Sequence, residues 1–341
     1  MPVPSPRADE HLENWLSYKQ GNEGRSVATV HKYRVWILRL KDWLAPADLL
    51  QATEGQVREF TGMHLYRQKM TPSSRRVAVA AVKGFYAWCA QAKAIPSDPA
   101  ASLPYPAIGR ALPKAMGLHN AEKLLMQPDL STFMGLRDAA MLSLLMGTGL
   151  RVGGLCSLNR SNLVTYVHKR VTRMALRVTE KGGHVRAVPV PTEAMILLQA
   201  YLGHPDLNDI DTALDDGDHV LLVSTMNRRV AACDYRGEAR RFRPGGVLKM
   251  MQRYAEAAGI PLDEAHPHAL RHLLGAELAE NSTTPIEIQT ILGHADVNTS
   301  AIYTRLALRK LTEIIDLANP LAKVNSPVAD LVRELRKAGQ L

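Results

Sequence analysis

Two arginines, one lysine, two histidines and one tyrosine stand out among the 341 residues as a set that could do chemistry together. Arg151 sits in Thr148-Gly149-Leu150-Arg151-Val152, and Lys181 in Glu180-Lys181-Gly182-Gly183-His184. His268 and Arg271 belong to His266-Pro267-His268-Ala269-Leu270-Arg271-His272, three apart and therefore on one face of a helix. His294 follows Leu292-Gly293, where the glycine permits the left-handed turn that closes a helix, and Tyr303 comes nine residues later. Guanidinium forks match phosphate oxygens, and imidazole exchanges protons near neutral pH. Together these groups are equipped to attack a phosphodiester without a metal ion. Singly, each has an ordinary reading: Arg151 neutralises a helix C-terminus, Lys181 is a turn residue, and Tyr303 is a half-buried aromatic with its hydroxyl in water. His272 points to another helix face than Arg271 and reads as structural.

The elements that must position these residues can be read from periodicity and caps. Helical patterns run over Asp9 to Lys19, Val27 to Leu44 behind Ser26, and Glu54 to Gln68 behind Thr53. A fourth passes through Arg75, Val77, Val79, Val82, Phe85, Trp88 and Cys89, so the first hundred residues read as a small four-helix unit. Pro99, Pro104, Pro106 and Pro113 then mark a nearly uncharged linker. Beyond it, helices are expected around Asn120 to Met126 and Phe133 to Gly147. Residues 163 to 190 alternate and are rich in Val and Thr, with a hairpin whose tip carries Lys181. Helices follow at about Ala269 to Glu280, Pro285 to Leu292 and Ser300 to Ile315, the last led by Asn298 and Thr299. A tail helix with Val328, Leu331, Val332 and Leu335 on one side must bury that side against its own chain or a neighbour.

Composition narrows the partner. Apolar side chains make up 46% and charged ones 22%, which excludes disorder throughout, and 42 Lys and Arg against 33 Asp and Glu leave +9. Residues 1 to 110 carry +6 of that surplus, and no Asp or Glu occurs from Phe60 to Ser97. Arg67, Lys69, Arg75, Arg76 and Lys83 in that stretch, with Arg240, Arg241 and Arg243 further on, are the candidates for phosphate contacts whose strength falls steeply with salt. Gly203 to Asp218 holds six aspartates and no cation, a loop expected to face away from any polyanion. It is not a calcium loop, because Ile210 occupies a ligand position and no glutamate closes it. Cys89, Cys156 and Cys233 offer neither a disulfide framework nor zinc spacing. There is no long apolar run, and Asp9, Glu10, Glu13 and Glu23 spoil any signal-peptide layout, so the expectation is a cytoplasmic protein with no membrane contact.

The order and local contexts of the chemical blocks resemble those of the tyrosine site-specific recombinases, or phage integrases, of the Xer-like or simple integrase type. The likeness spans nearly the whole chain and is strongest in Gly147 to Leu155, Glu180 to Pro189 and His268 to Arg305. It implies a mainly α (α+β) protein: a helical core-binding domain at 1–105, a linker at 106–114, a mostly helical catalytic domain with a small antiparallel sheet at 115–320, and a tail helix at 321–341, for whose apolar side docking on a neighbouring subunit is one of the two options left open. It also implies roles. Tyr303 is the nucleophile that forms a 3′-phosphotyrosyl link, and Arg151, Arg271 and His294 hold non-bridging oxygens. Lys181 protonates the leaving 5′ oxygen, and His268 moves the tyrosine proton. The implied partners are double-stranded DNA sites and three further copies of the chain, joined through a Holliday junction, with no cofactor. Accessory DNA-bending or directionality proteins are left open. Nothing before Asp9 has the length of an added arm-binding domain, as expected of a simple recombinase. Two departures stand out: Gly153-Gly154 occupies the place of an acidic residue common after the first arginine, and Leu273 to Glu277 departs from the usual small-residue pattern. The rival readings are relaxation of DNA in the manner of a type IB topoisomerase, and a non-catalytic DNA-binding regulator.

Overall fold

Ser26, Thr53 and Thr71 each start a helix by accepting a backbone N–H three residues on, and Gln56 answers Thr53 to complete a capping box. The computed structural model describes residues 6–108, 115–179, 185–227, 230–281, 284–293 and 304–337. Lys181, His294, Tyr303 and the candidate caps Asn298 and Thr299 therefore lie outside the described residues. Contacts divide the chain into two units, Met1–Ala111 and Leu112–Leu341.

The first unit is built from α1 (Pro6–Gly21), α2 (Val27–Leu44), α3 (Glu54–Glu59), α4 (Leu65–Arg67) and α5 (Pro72–Gln91), with a π-helical turn at Phe60–His64 joining α3 to α4. Trp15, Ile37, Leu40, Phe60, Leu65, Val82 and Phe85 fill its core. The periodic apolar stripe read along α5 is the buried one, since Ala78, Val79, Val82, Phe85 and Cys89 all face inward.

The second unit opens with α6 (Leu118–Leu125) and α7 (Phe133–Thr148). Almost every side chain of α7 is buried, which makes it the central helix of the unit. The short α8 (Val152–Cys156) leads to β1 (Leu163–His168), β2 (Val171–Thr179) and β3 (Val185–Val190), an antiparallel sheet in the order β1-β2-β3. The alternation over 163–190 thus contains a third strand besides the expected hairpin, and Arg186 lies opposite Val178 in the β2–β3 register. Then come α9 (Thr192–Leu202), α10 (Pro244–Ala257), α11 (Pro267–Glu280), α12 (Pro285–Leu292), α13 (Thr304–Ala318) and α14 (Pro327–Lys337). In the aspartate loop, Asp211 and Asp216 accept the N–H two residues on, and Asp218 accepts from Ser161 and His219. These carboxylates shape turns.

Of the two options open for the tail helix, its own chain or a neighbour, the described residues show the first. Val328 and Val332 of α14 are buried in the core of their own unit, packed beside α9. Leu331, at the next position round the helix, stays exposed.

Candidate active site

Gly149 ends α7 with φ +61°, its N–H bonded to the carbonyl of Leu145. The left-handed turn sends the chain through buried Leu150 to Arg151, which is the N-cap of α8. Arg271, in the middle of α11 and only 5% exposed, donates one guanidinium nitrogen to the carbonyl of Gly149 and another to that of Leu292. Arg151 donates to the carbonyl of Gly293 at 3.0 Å. The structure thereby brings together two of the residues singled out in the sequence, 120 positions apart, on the end of α12.

A third arginine shares that end. Arg186 of β3 donates to the carbonyl of Ile291 at 2.7 Å. Three consecutive carbonyls, those of Ile291, Leu292 and Gly293, each receive a different arginine from a different element. These are the orphan acceptors that every helix leaves at its C-terminus, where the helix dipole is negative, so cations are favoured there. The sequence reading missed Arg186. Its only signal was a single cation inside the otherwise apolar strand Val185–Val190.

His268 lies in the first turn of α11, behind Pro267 and the cap His266, whose Nδ1 accepts the N–H of Ala269 at 3.1 Å. Partial burial pushes the His268 imidazole below its ordinary range, and the charges of Arg271, His272, His266 and Arg151 push it the same way. It is therefore neutral at pH 7 and able to accept a proton. Burial, His266 and Arg271 lower His272 as well, and the two rings stand 6.4 Å apart between centroids. Among the described residues no group of three His, Cys, Asp or Glu side chains is placed to hold a metal ion.

The surrounding elements are bolted down by polar contacts. Arg241 donates to the carbonyls of Cys156 and Leu158 and to Asn159 Oδ1, fastening the end of α8. Helix α13, which begins immediately after Tyr303, is tied to the sheet by Tyr166 with Thr312 at 2.6 Å, Arg173 with Asp316, and Lys169 with Glu313 at 2.7 Å. Asn319 reaches Glu193, and Lys323 reaches buried Glu277 of α11. Beside Arg151, Gly153 has open space where a side chain would go, and a Cβ on Gly154 would only touch Val178 at 3.6 Å.

The candidate phosphate contacts divide. Arg67 and Lys69 are exposed, Arg75 lies over the ring of Tyr66 at 5.5 Å, and Arg76 over Tyr105 at 4.8 Å. Arg243 caps α10 and is exposed, while Arg240 stacks on Tyr235 at 3.8 Å. Two of the eight have other work. Lys83 gives its ammonium to the carbonyls of Ala101 and Leu103, and Arg241 is the bolt on α8, so neither presents its charge outward as the sequence reading expected. A count of cations cannot distinguish an outward ammonium from one holding the chain's own carbonyls.

Comparison with known proteins matches residues 116–309 to the phage integrase family and residues 12–93 to the phage integrase N-terminal SAM-like domain. Tyrosine recombinase XerC of Myxococcus xanthus is 27% identical over 314 residues, covering 91% of this chain and 98% of that protein. Tyrosine recombinase XerC of Stutzerimonas stutzeri is 32% identical over 273 residues, 78% of this chain and 83% of that one. Among solved structures, XerH recombinase bound to its palindromic difH substrate after cleavage aligns with a TM-score of 0.63 at 18% identity, covering 90% of this chain and 83% of that one. A lambda integrase (75–356) dimer on a COC′ core site aligns at 0.60 and 17%, covering 86% and 98%. These neighbours share the mainly helical fold with its small antiparallel sheet.

Proposed function

This chain belongs to the phage integrase family, and on that premise we propose how its residues divide the work of cutting and rejoining DNA at specific sites. The reaction is two transesterifications. In the first, the phenolic oxygen of Tyr303 attacks the scissile phosphorus, a bond from phosphorus to Tyr303 forms, and the bond to the 5′ oxygen breaks. The phenolic proton passes toward His268, whose neutral imidazole can take it, and Lys181 gives a proton to the departing 5′ oxygen. Arg151, Arg271 and His294 hold the two non-bridging oxygens as charge grows on them. In the second, a 5′-hydroxyl from the other duplex attacks the phosphotyrosine and the steps run backwards. One phosphodiester-like bond replaces another each time, so no ATP is needed.

The observation that carries this division is the convergence of Arg151 and Arg271 on the end of α12, with His268 close enough to feel both charges. The end of α12 is also where the chain runs on to His294. Exchange between two duplexes needs four cuts, and we assign one to each of four copies of the chain on two DNA sites, passing through a Holliday junction. None of the described helices is long and apolar enough to cross a membrane.

The test is covalent capture. Wild-type protein is incubated with a pool of duplexes of randomised sequence, nicked so that the cleaved end diffuses away, and protein–DNA adducts are recovered after denaturation. Adducts from wild type and none from Tyr303→Phe are expected, with the enriched sequence defining the site. No adduct would overturn the assignment in favour of a DNA-binding regulator, and adducts without site preference, accompanied by relaxation of supercoiled DNA, would favour a topoisomerase.

A further inference from the structure

Arg151 and Arg271 cannot serve both the end of α12 and a phosphate with the same donors. A scissile phosphate would compete for the donors now given to Gly293 and Leu292. In that competition the last turn of α12 would lose two of the three arginines that hold it among the described residues, while the chain leading to His294 must be held still. Arg186 is the third, and its acceptor lies one residue further into the helix, at Ile291. It stands on β3, an edge strand paired along its length with the central strand β2, opposite buried Val178. The sheet thus offers a rigid base from which a long side chain can grip the helix.

We propose that Arg186 is a positioning residue for recombination: it clamps the last turn of α12 to the sheet, so that Arg151 and Arg271 can swing to the phosphate without the turn that leads to His294 moving with them. This rests on the division of roles proposed above. Arg186 touches no reacting atom in this scheme. It acts through α12, on the side of the non-bridging oxygens, and not through Lys181, although the hairpin carrying Lys181 leads into the same strand. Outer partners that orient metal ligands typically contribute about 10- to 100-fold to activity, and an effect of that order is expected of a clamp on the turn that leads to His294.

The test uses the duplex recovered by covalent capture and measures its dissociation constant and the single-turnover rate of adduct formation. For Arg186→Gln we expect a rate about 10- to 100-fold slower with affinity within about threefold of wild type, and partial recovery in Arg186→Lys. A second duplex carries sulfur in place of the 5′ bridging oxygen, a leaving group that needs no proton. It should restore Lys181→Ala and leave Arg186→Gln slow. Should the glutamine variant fail to fold, Arg186→Met, which keeps the apolar stem, is judged on the same readouts. A wild-type rate in the variant, a loss of affinity that matches the loss of rate, or rescue by sulfur would each overturn the proposal. If wild type itself forms no Tyr303-dependent adduct, it is the assignment of roles that fails, which separates the two ideas.

Discussion

His268 and Gly149 carry the sharpest consequences for single residues. Because burial and four neighbouring cations or imidazoles depress His268, the native protein holds its proton less readily than the unfolded chain does. Its titration in the DNA-free protein, followed by NMR, should have a midpoint below the ordinary value of about 6.5, and Arg271→Gln should move it back upward. The stabilisation from keeping it neutral is present above the ordinary value and lost as pH falls through that range. Gly149 needs its missing Cβ twice over: for φ +61°, and because a Cβ would come within 2.6 Å of Leu292 Cδ2. Gly149→Ala should cost about 1–3 kcal/mol in chemical denaturation and slow cleavage by displacing α12; an unchanged rate would show that the helix end tolerates the shift. Arg151, His268 and Arg271 could be read from sequence because their neighbours form compact motifs. Arg186 could not, because its acceptor is a main-chain oxygen, which every residue has.

At the level of elements, the polar bolts matter more than the sequence pattern implied. Helix α8 is only five residues long, with Gly153 exposed and Val152 and Gly154 half-buried, so it depends on Arg241 to fix its far end. Arg241→Ala should cost about 2 kcal/mol, seen as a lower melting temperature, and should slow cleavage through Arg151 while leaving duplex affinity near wild type. A large loss of affinity instead would return Arg241 to the phosphate contacts. Helix boundaries were legible to within a few residues where a cap existed, as at Ser26 before Val27 and Thr132 before Phe133. The strand β1 was less so: it pairs with the adjacent β2 but is half-exposed along its length, and the contact that ties it to α13, Tyr166 with Thr312, crosses more than a hundred residues. No local pattern announces such a pairing.

For the molecule as a whole, the two-part organisation followed from the proline-rich stretch, and the destination of the tail did not. An amphipathic helix declares that one side must be covered and says nothing of what covers it. Here Val328 and Val332 are covered by the rest of their own unit, so removing residues 327–341 should destabilise the isolated protein by about 3 kcal/mol, measurable as a lower melting temperature without DNA. An unchanged melting temperature would return the tail to a role between subunits. The clasp on α12 also bears on how this chain can vary. Relatives 27–32% identical cover most of its length, so most side chains in such a scaffold are replaceable. The acceptors at Ile291, Leu292 and Gly293 are backbone oxygens, which survive any change of side chain that keeps the helix and its left-handed last turn. The burden of inheritance falls on the three donors, and a screen for second-site suppressors of Arg186→Gln should recover new donors on neighbouring strands or helices, not new acceptors in α12.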